Sequence, residues 1–186
     1  MKKAVFLDRD GTINVDHGYL YRREDFVYTE GAVEALRILE ELGYLLIIVT
    51  NQSGIARGYY SEEDFDKLNQ WMLRDLAQKG VRVAKTYFCP HYPQGRIERY
   101  AVECECRKPG TGMFRKAQKE WDLDMEQSFA VGDRLRDLSI CYEYGVQGIW
   151  LGGDDTNRAG QGMVRPLWTA ENLLQAAEKI TLAIRR

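Results

Sequence analysis

The sequence predicts an α/β protein built on a doubly wound parallel sheet, and three observations lead there. Short apolar runs recur along the chain, unbroken by the polar alternation of a half-exposed strand and too turn-bounded to be helices. Amphipathic helical stretches separate them, the arrangement that gives parallel pairing through right-handed crossovers. Several runs also end in polar, glycine-containing turns, at the strand end where ligands bind in open α/β sheets. A chain of 186 residues with 45% hydrophobic content is expected to form one domain, residues 1–186, with an adequate core.

The first run, Ala4 to Leu7, leads into Asp8-Arg9-Asp10-Gly11-Thr12. Ile13 to Thr29 is polar and aromatic without a long period. Glu30-Gly31 opens a helix with Val33, Leu36, Leu39 and Leu42 at helical spacing, stopped by Gly43. The second strand, Leu45 to Val49, ends in Thr50-Asn51-Gln52-Ser53-Gly54. Ser61 with Asp64 reads as a helix start, and Phe65, Leu68, Met72 and Leu76 carry that helix to Gly80. Val83 to Phe88 is a third strand, followed by an irregular stretch from Cys89 to Arg107 and a helix near Met113 to Trp121. Ser128 to Val131 is the fourth strand, ending in Gly132-Asp133. A helix from about Leu135 to Tyr144 leads to a short strand, Gly148 to Leu151. Gly152 to Pro166 is glycine-rich and polar, and Thr169 is expected to open a closing helix.

Bulk charge narrows the partners. A net charge of −2 gives no electrostatic case for nucleic acid or a membrane surface, and no apolar stretch reaches the length of a membrane span. The first strand begins almost at Met1, which leaves no room for a signal peptide, so the cytoplasm is the expected compartment. With no separate large cap domain visible, a monomer acting on a small molecule is expected.

The chemistry starts at Asp8 and Asp10. On extended backbone, carboxylates two residues apart point the same way, and such a pair repels unless a cation or a shared proton relieves it. Alone, the pair also fits a plain acidic turn. Elsewhere, Thr50 to Gly54 offers hydroxyls and backbone N–H groups suited to phosphate oxygens. Lys108 precedes a helix, and Gly132-Asp133 ends a strand. Taken singly, Lys108 could be a solvated charge and Asp133 a helix cap. Together they suit one task, handling a phosphate.

A second cluster is Cys89-Pro90-His91 and Cys104-Glu105-Cys106. Each pair presents both side chains to one side of extended backbone, and two such pairs close a tetrahedron. Three thiolates and an imidazole indicate Zn²⁺ in a closed, structural site, within a loop spanning about residues 89–107. Cys106 runs directly into Arg107-Lys108, so a metal there would brace the lysine. Cys141 stands apart and reads as a small buried hydrophobe.

In order and spacing, Asp8-Arg9-Asp10-Gly11-Thr12, Thr50, Lys108 and Gly132-Asp133-x-x-x-Asp137 resemble the four motifs of haloacid dehalogenase-type phosphatases, over Ala4 to about Leu151. The resemblance implies a haloacid dehalogenase-like, Rossmannoid sheet without a large cap domain. It implies that Asp8 is the nucleophile forming an aspartyl-phosphate, and that Asp10 is the general acid and then the base. Thr50 and Lys108 would hold the phosphoryl oxygens, and Mg²⁺ would sit on Asp8, the backbone carbonyl of Asp10, and Asp133. Asp137 would either orient this first layer or face solvent on its helix.

Cys-x-His, a loop, then Cys-x-Cys-Arg-Lys-Pro is similar to two bacterial families of this superfamily. They are the histidinol-phosphate phosphatases and the D-glycero-D-manno-heptose 1,7-bisphosphate 7-phosphatases. The longer loop from His91, with Asn14 to Tyr19 and Thr50 to Gly58, resembles the heptose family. That resemblance implies substrate contacts at Asp16, His17, Gly18, Tyr19, Asn51, Gln52, Ser53, Arg107 and Arg134. Its zinc would lie on Cys89, His91, Cys104 and Cys106. The implied reaction is Mg²⁺-dependent removal of the C7 phosphate of a sugar bisphosphate, in nucleotide-heptose precursor synthesis. Histidinol phosphate or another small monoester is the alternative substrate, and a silent zinc-braced binding module the alternative of another class. The chain departs from the heptose family at Arg134, where lysine is frequent, at Pro109 to Met113, and from Gly152 to Asp155.

Overall fold

The computed structural model describes residues 1–152 and 166–184. All but the ends of the glycine-rich stretch expected at Gly152 to Pro166 therefore lies outside the described residues. Six strands form one parallel sheet: β1 (Ala4–Leu7), β2 (Leu45–Asn51), β3 (Val83–Cys89), β4 (Phe129–Gly132), β5 (Gln147–Leu151) and β6 (Trp168–Ala170). Their order is β3-β2-β1-β4-β5-β6. The chain winds outward from β1 in one direction and from β4 in the other. The crevice between these two strands is thus the topological switch point, where such sheets bind ligands.

β1 is buried on both faces, as its unbroken apolar run requires. Val5 and Leu7 face one core with α1 (Ala32–Glu41), α2 (Glu62–Gln78) and α5 (Leu173–Ile184). Ala4 and Phe6 face the other, with α3 (Gly112–Trp121). Phe6 meets Phe114 of α3 edge to face, ring centroids 5.2 Å apart. α2 starts on a capping box: Asp64 N donates to Ser61 Oγ (3.1 Å) and Ser61 N to Asp64 Oδ2 (2.9 Å). A smaller cluster of Ile55, Tyr60 and Phe65 packs beside the end of β2, with Tyr21, Phe88 and Tyr100 against it.

Two expectations are corrected. The helix expected from Leu135 to Tyr144 is instead a 3-10 turn, Leu135–Leu138, followed by one short turn, α4 (Cys141–Tyr144). Asp137 turns back to accept from Arg134 N (2.9 Å), and the tight turn keeps its side chain inside the sheet end. Thr169 does not open a helix. It lies in β6, paired in parallel with β5 at Trp150, and α5 begins after Asn172, whose Oδ1 accepts from Gln175 N (2.9 Å). Among the described residues no helix is long and apolar enough to cross a membrane.

Candidate active site

A cavity of about 360 Å³ opens at the carboxyl ends of β1, β2 and β4. Register brings its polar groups together: Leu7 lies opposite Ile48 of β2 and Val131 of β4, so Asp8 emerges between the loops that follow both neighbours. Asp8 N donates to Val131 O (3.0 Å), which ties the first residue past β1 to β4.

Lys108 is 2% exposed and its ammonium makes three contacts. It donates to Val49 O (2.6 Å) and pairs with Asp8 Oδ1 (3.0 Å) and Asp137 Oδ1 (2.8 Å). Burial works against the charge, but Asp8 and Asp137 outweigh it and raise the lysine's pKa. Its backbone is bracketed by Asn51: Lys108 N donates to Asn51 Oδ1 (3.0 Å) and Asn51 Nδ2 to Lys108 O (3.1 Å). The loop after β2 thereby fixes where the lysine enters.

The two carboxylates paired with that ammonium are joined by a third, Asp133. Oxygens of Asp8, Asp133 and Asp137 all lie within 4.8 Å of one another. Burial first, then Asp137, raises Asp8 to about 7 against the opposing pull of Lys108. Burial and Asp137 likewise raise Asp133 to about 6. Asp137 already uses both oxygens, on Lys108 and on Arg134 N. Asp133 Oδ1 is buried with neither a hydrogen bond nor an ion pair among the described residues. Hard oxygen donors crowded together, one of them orphaned, fit a divalent cation. Gly11 is required beside them, since its φ is +83° and a methyl there would run into the Asp133 carboxylate.

Asp10 also lines the cavity, but its carboxylate is held by other partners. Oδ1 accepts from Arg9 Nε (3.1 Å), Arg9 Nη2 (2.9 Å) and Asn14 Nδ2 (3.0 Å). Oδ2 accepts from Arg9 Nη2 (2.9 Å) and Gln52 Nε2 (3.0 Å). Gln52 Nε2 also donates to the buried Thr50 Oγ1 (2.8 Å), while Tyr60 OH donates to Gln52 Oε1 (2.5 Å). Burial raises the Tyr60 phenol well above its ordinary range, keeping it a donor.

The rim carries positive charge. Arg57, Arg107, Arg134 and Arg136 line the cavity with Asp16, Gly18, Tyr19 and Ser53. Tyr92 lies between two of them, with the Arg57 guanidinium 4.0 Å and the Arg107 guanidinium 5.2 Å from its ring centre. Burial and the neighbouring Arg136 push Arg107 below its usual pKa.

Of the residues singled out from sequence, Asp8, Asp10, Asp16, Gly18, Tyr19, Asn51, Gln52, Ser53, Arg107, Asp133 and Arg134 converge on this cavity. Thr50 and Lys108 lie buried behind it. His17 does not line it and faces an adjacent depression with Leu20, Arg22 and Val27. Asp137 is 3% exposed and does not face solvent. Arg9, Arg57, Tyr60 and Arg136 escaped the sequence reading. A charged Arg9 between two carboxylates was a signal for a buried ion pair.

The second cluster assembles beside the cavity. Cys106 Sγ lies 3.0 Å from Cys89 Sγ, 3.2 Å from Cys104 Sγ and 3.3 Å from His91 Nδ1. The contact with Cys89, then those with Cys104 and His91, lowers the pKa of the Cys106 thiol, while the same contact raises that of Cys89. Four soft donors in one small space fit a tetrahedral zinc site. Arg107 Nη1 donates to His91 O (3.2 Å), joining this cluster to the rim.

Known proteins resemble this chain in sequence and in fold. A family model described as polynucleotide kinase 3 phosphatase matches residues 3–137, and one described as HAD-hydrolase-like matches residues 105–176. With the sheet order and the Asp8, Lys108 and Asp133 geometry, these matches make the chain a haloacid dehalogenase-like phosphatase. The D-glycero-beta-D-manno-heptose-1,7-bisphosphate 7-phosphatase of Haemophilus ducreyi is 52% identical over 147 residues, covering 78% of this chain and 80% of that one. The enzyme of the same name from Pasteurella multocida is 51% identical over 138 residues, covering 74% of each. A crystal structure of D,D-heptose 1,7-bisphosphate phosphatase from B. bronchiseptica, complexed with magnesium and phosphate, matches with a TM-score of 0.83 at 30% identity. It covers 97% of this chain and 99% of that one. The chain belongs to the D-glycero-D-manno-heptose 1,7-bisphosphate 7-phosphatase family.

Proposed function

We propose that this phosphatase removes the C7 phosphate of D-glycero-D-manno-heptose 1,7-bisphosphate, acting as a cytoplasmic monomer in nucleotide-heptose precursor synthesis. The carrying observation is that one cavity joins a buried carboxylate–lysine floor to a rim of four arginines. A substrate with phosphates at both ends would put one anion on each. The names of relatives at about half identity support the same reading.

Asp8 is the nucleophile. Oδ1 is held by Lys108 and by Arg9 N (2.8 Å), and Oδ2 has no hydrogen-bond partner among the described residues, so it is the oxygen free to attack phosphorus. The P–O7 bond breaks as the Asp8–P bond forms, and the departing alkoxide takes a proton from Asp10. Asp10 then removes a proton from water, water attacks the aspartyl-phosphate, and Asp8 and inorganic phosphate are released. Lys108 and the Thr50 hydroxyl steady the phosphoryl oxygens. Asp8, Asp133 and the Asp10 carbonyl would hold Mg²⁺, with Asp137 in reach. When bound, Mg²⁺ supplies the positive charge that lets an anionic nucleophile meet a phosphate dianion. Zn²⁺ on Cys89, His91, Cys104 and Cys106 would brace the approach to Lys108. Arg107, Arg134, Asp16 and Tyr19 are the candidates for the far phosphate and the sugar.

Turnover on the heptose bisphosphate, histidinol phosphate and other sugar monoesters, each with and without Mg²⁺, tests the proposal. The heptose bisphosphate should have the highest kcat/KM, and only with the cation. Preference for histidinol phosphate would reassign the substrate. No phosphate release from any ester would leave a binding module.

A further inference from the structure

We infer that Tyr60 is a positioning residue that acts through Gln52 to set the orientation of the Asp10 carboxyl for proton transfer. The inference rests on the reading of Asp10 as the proton donor. The contacts are short and directional: Tyr60 OH to Gln52 Oε1 at 2.5 Å, then Gln52 Nε2 to Asp10 Oδ2 at 3.0 Å and to Thr50 Oγ1 at 2.8 Å. An ionised carboxylate only accepts, so the amide nitrogen must face Asp10 and the amide oxygen must face away. The phenol supplies the donor on that far side. Without it, Oε1 would be buried without a hydrogen bond, and the amide would tilt to find one.

Tyr60 is itself fixed. Its ring stacks on Tyr21 with centroids 5.3 Å apart and planes 16° from parallel. It packs with Ile55 and Phe65 and lies over Gly54, where any side chain would collide with it. The relay also reaches the relevant oxygen. Asp10 Oδ1 accepts three hydrogen bonds and Oδ2 two, from Arg9 Nη2 and Gln52 Nε2, so Oδ2, the atom Gln52 touches, is the less occupied oxygen and the one we assign the transferred proton.

A role in proton transfer predicts a dependence on leaving group that a packing role does not. A sugar alkoxide is strongly basic and needs the proton, whereas 4-nitrophenolate departs without one. Tyr60→Phe keeps the ring and its stack and removes only the hydroxyl. With Mg²⁺ present, kcat/KM, which reports only the steps through departure of the leaving group and not the later hydrolysis of the aspartyl-phosphate, should fall roughly tenfold on a primary sugar phosphate, a fraction of the ~10²–10⁴-fold typical of general acid–base catalysis. On 4-nitrophenyl phosphate the loss in kcat/KM should be much smaller. Equal losses on the two substrates, or none on either, would overturn the inference. If Tyr60→Phe fails to fold, Gln52→Met should give the same split between substrates, and equal losses there would overturn it. Where both fold, Tyr60→Phe should cost little more in a Gln52→Met background, and additive losses would contradict a relay through Gln52. Asp10→Asn on the same two substrates keeps the two ideas apart. Equal losses from Asp10→Asn would sink the proton-donor reading itself. Discrimination by Asp10→Asn without discrimination by Tyr60→Phe would remove only the role of Tyr60.

Discussion

Lys108 holds Asp8 and Asp137 together in a space that water barely reaches, with side-chain exposures of 1% for the lysine and 10% and 2% for the carboxylates. Removing one partner of such a buried group leaves charge uncompensated, at a typical cost of about 3–5 kcal/mol. Lys108→Met should therefore lose stability as well as turnover, by about 3 kcal/mol in urea unfolding of the metal-free protein. An unchanged midpoint would mean that the lysine serves only the substrate. Asp8→Asn should behave differently, with the fold kept and turnover abolished, since an amide of the same shape cannot attack phosphorus. Near-parental phosphate release by that variant would remove Asp8 as nucleophile. Asp8, Asp10, Lys108 and Asp133 were legible because each follows a strand or precedes a helix in a recognisable order. Tyr60 and Arg57 were not, because what matters in them is a partner distant in the chain, and Arg9, although its place between two carboxylates signals an ion pair, gives no sign of its complete burial. Arg9 is fully buried, its guanidinium donating to Asp10 and to Leu20 O (3.1 Å).

Among the elements, the ends of β1, β2 and β4 do most of the positioning, and the loop that carries the cysteine–histidine cluster completes the rim. Tyr92 from that loop lies between Arg57 and Arg107, and His91 O accepts from Arg107. Structural zinc sites contribute folding free energy directly. Protein purified without added metal should carry one Zn²⁺ per chain by elemental analysis. Cys104→Ser should lower both the melting temperature and the turnover. Equal melting and full activity after loss of the metal would refute a brace. The cap of α2 offers a contrast, since it lies outside the cavity. Ser61→Ala should cost about 1 kcal/mol of stability and leave kcat/KM unchanged. The strands read from sequence agree with the sheet to within a residue or two, because unbroken apolar runs have one natural home in a parallel sheet. β6 was hidden: Trp168–Ala170 is too short to show a pattern, and its pairing with β5 comes from tertiary register alone. The helix expected after Leu135 failed for a similar reason, since Asp137 is drawn inward to Lys108 and the turn tightens.

The molecule as a whole is arranged around the switch point between β1 and β4. Its floor is acidic with a single buried ammonium, and its rim has four guanidiniums. A phosphate on a flexible terminal carbon reaches the recessed Asp8 more easily than one mounted on the sugar ring. The rim arginines can meanwhile hold the other phosphate through charge-assisted, bidentate hydrogen bonds. Remote binding of this kind should appear as a difference between substrates. Arg107→Ala should reduce kcat/KM on the heptose bisphosphate at least tenfold more than on a small aryl phosphate, roughly the 1.5–3 kcal/mol of a hydrogen bond to a charged group. Equal losses on both would take Arg107 out of the far site. The regiochemistry of cleavage tests the account most directly. In ³¹P NMR of heptose 1,7-bisphosphate incubated with the enzyme and Mg²⁺, the C7 resonance should give way to inorganic phosphate while the anomeric resonance persists. Survival of the C7 phosphate with loss of the anomeric one would contradict it.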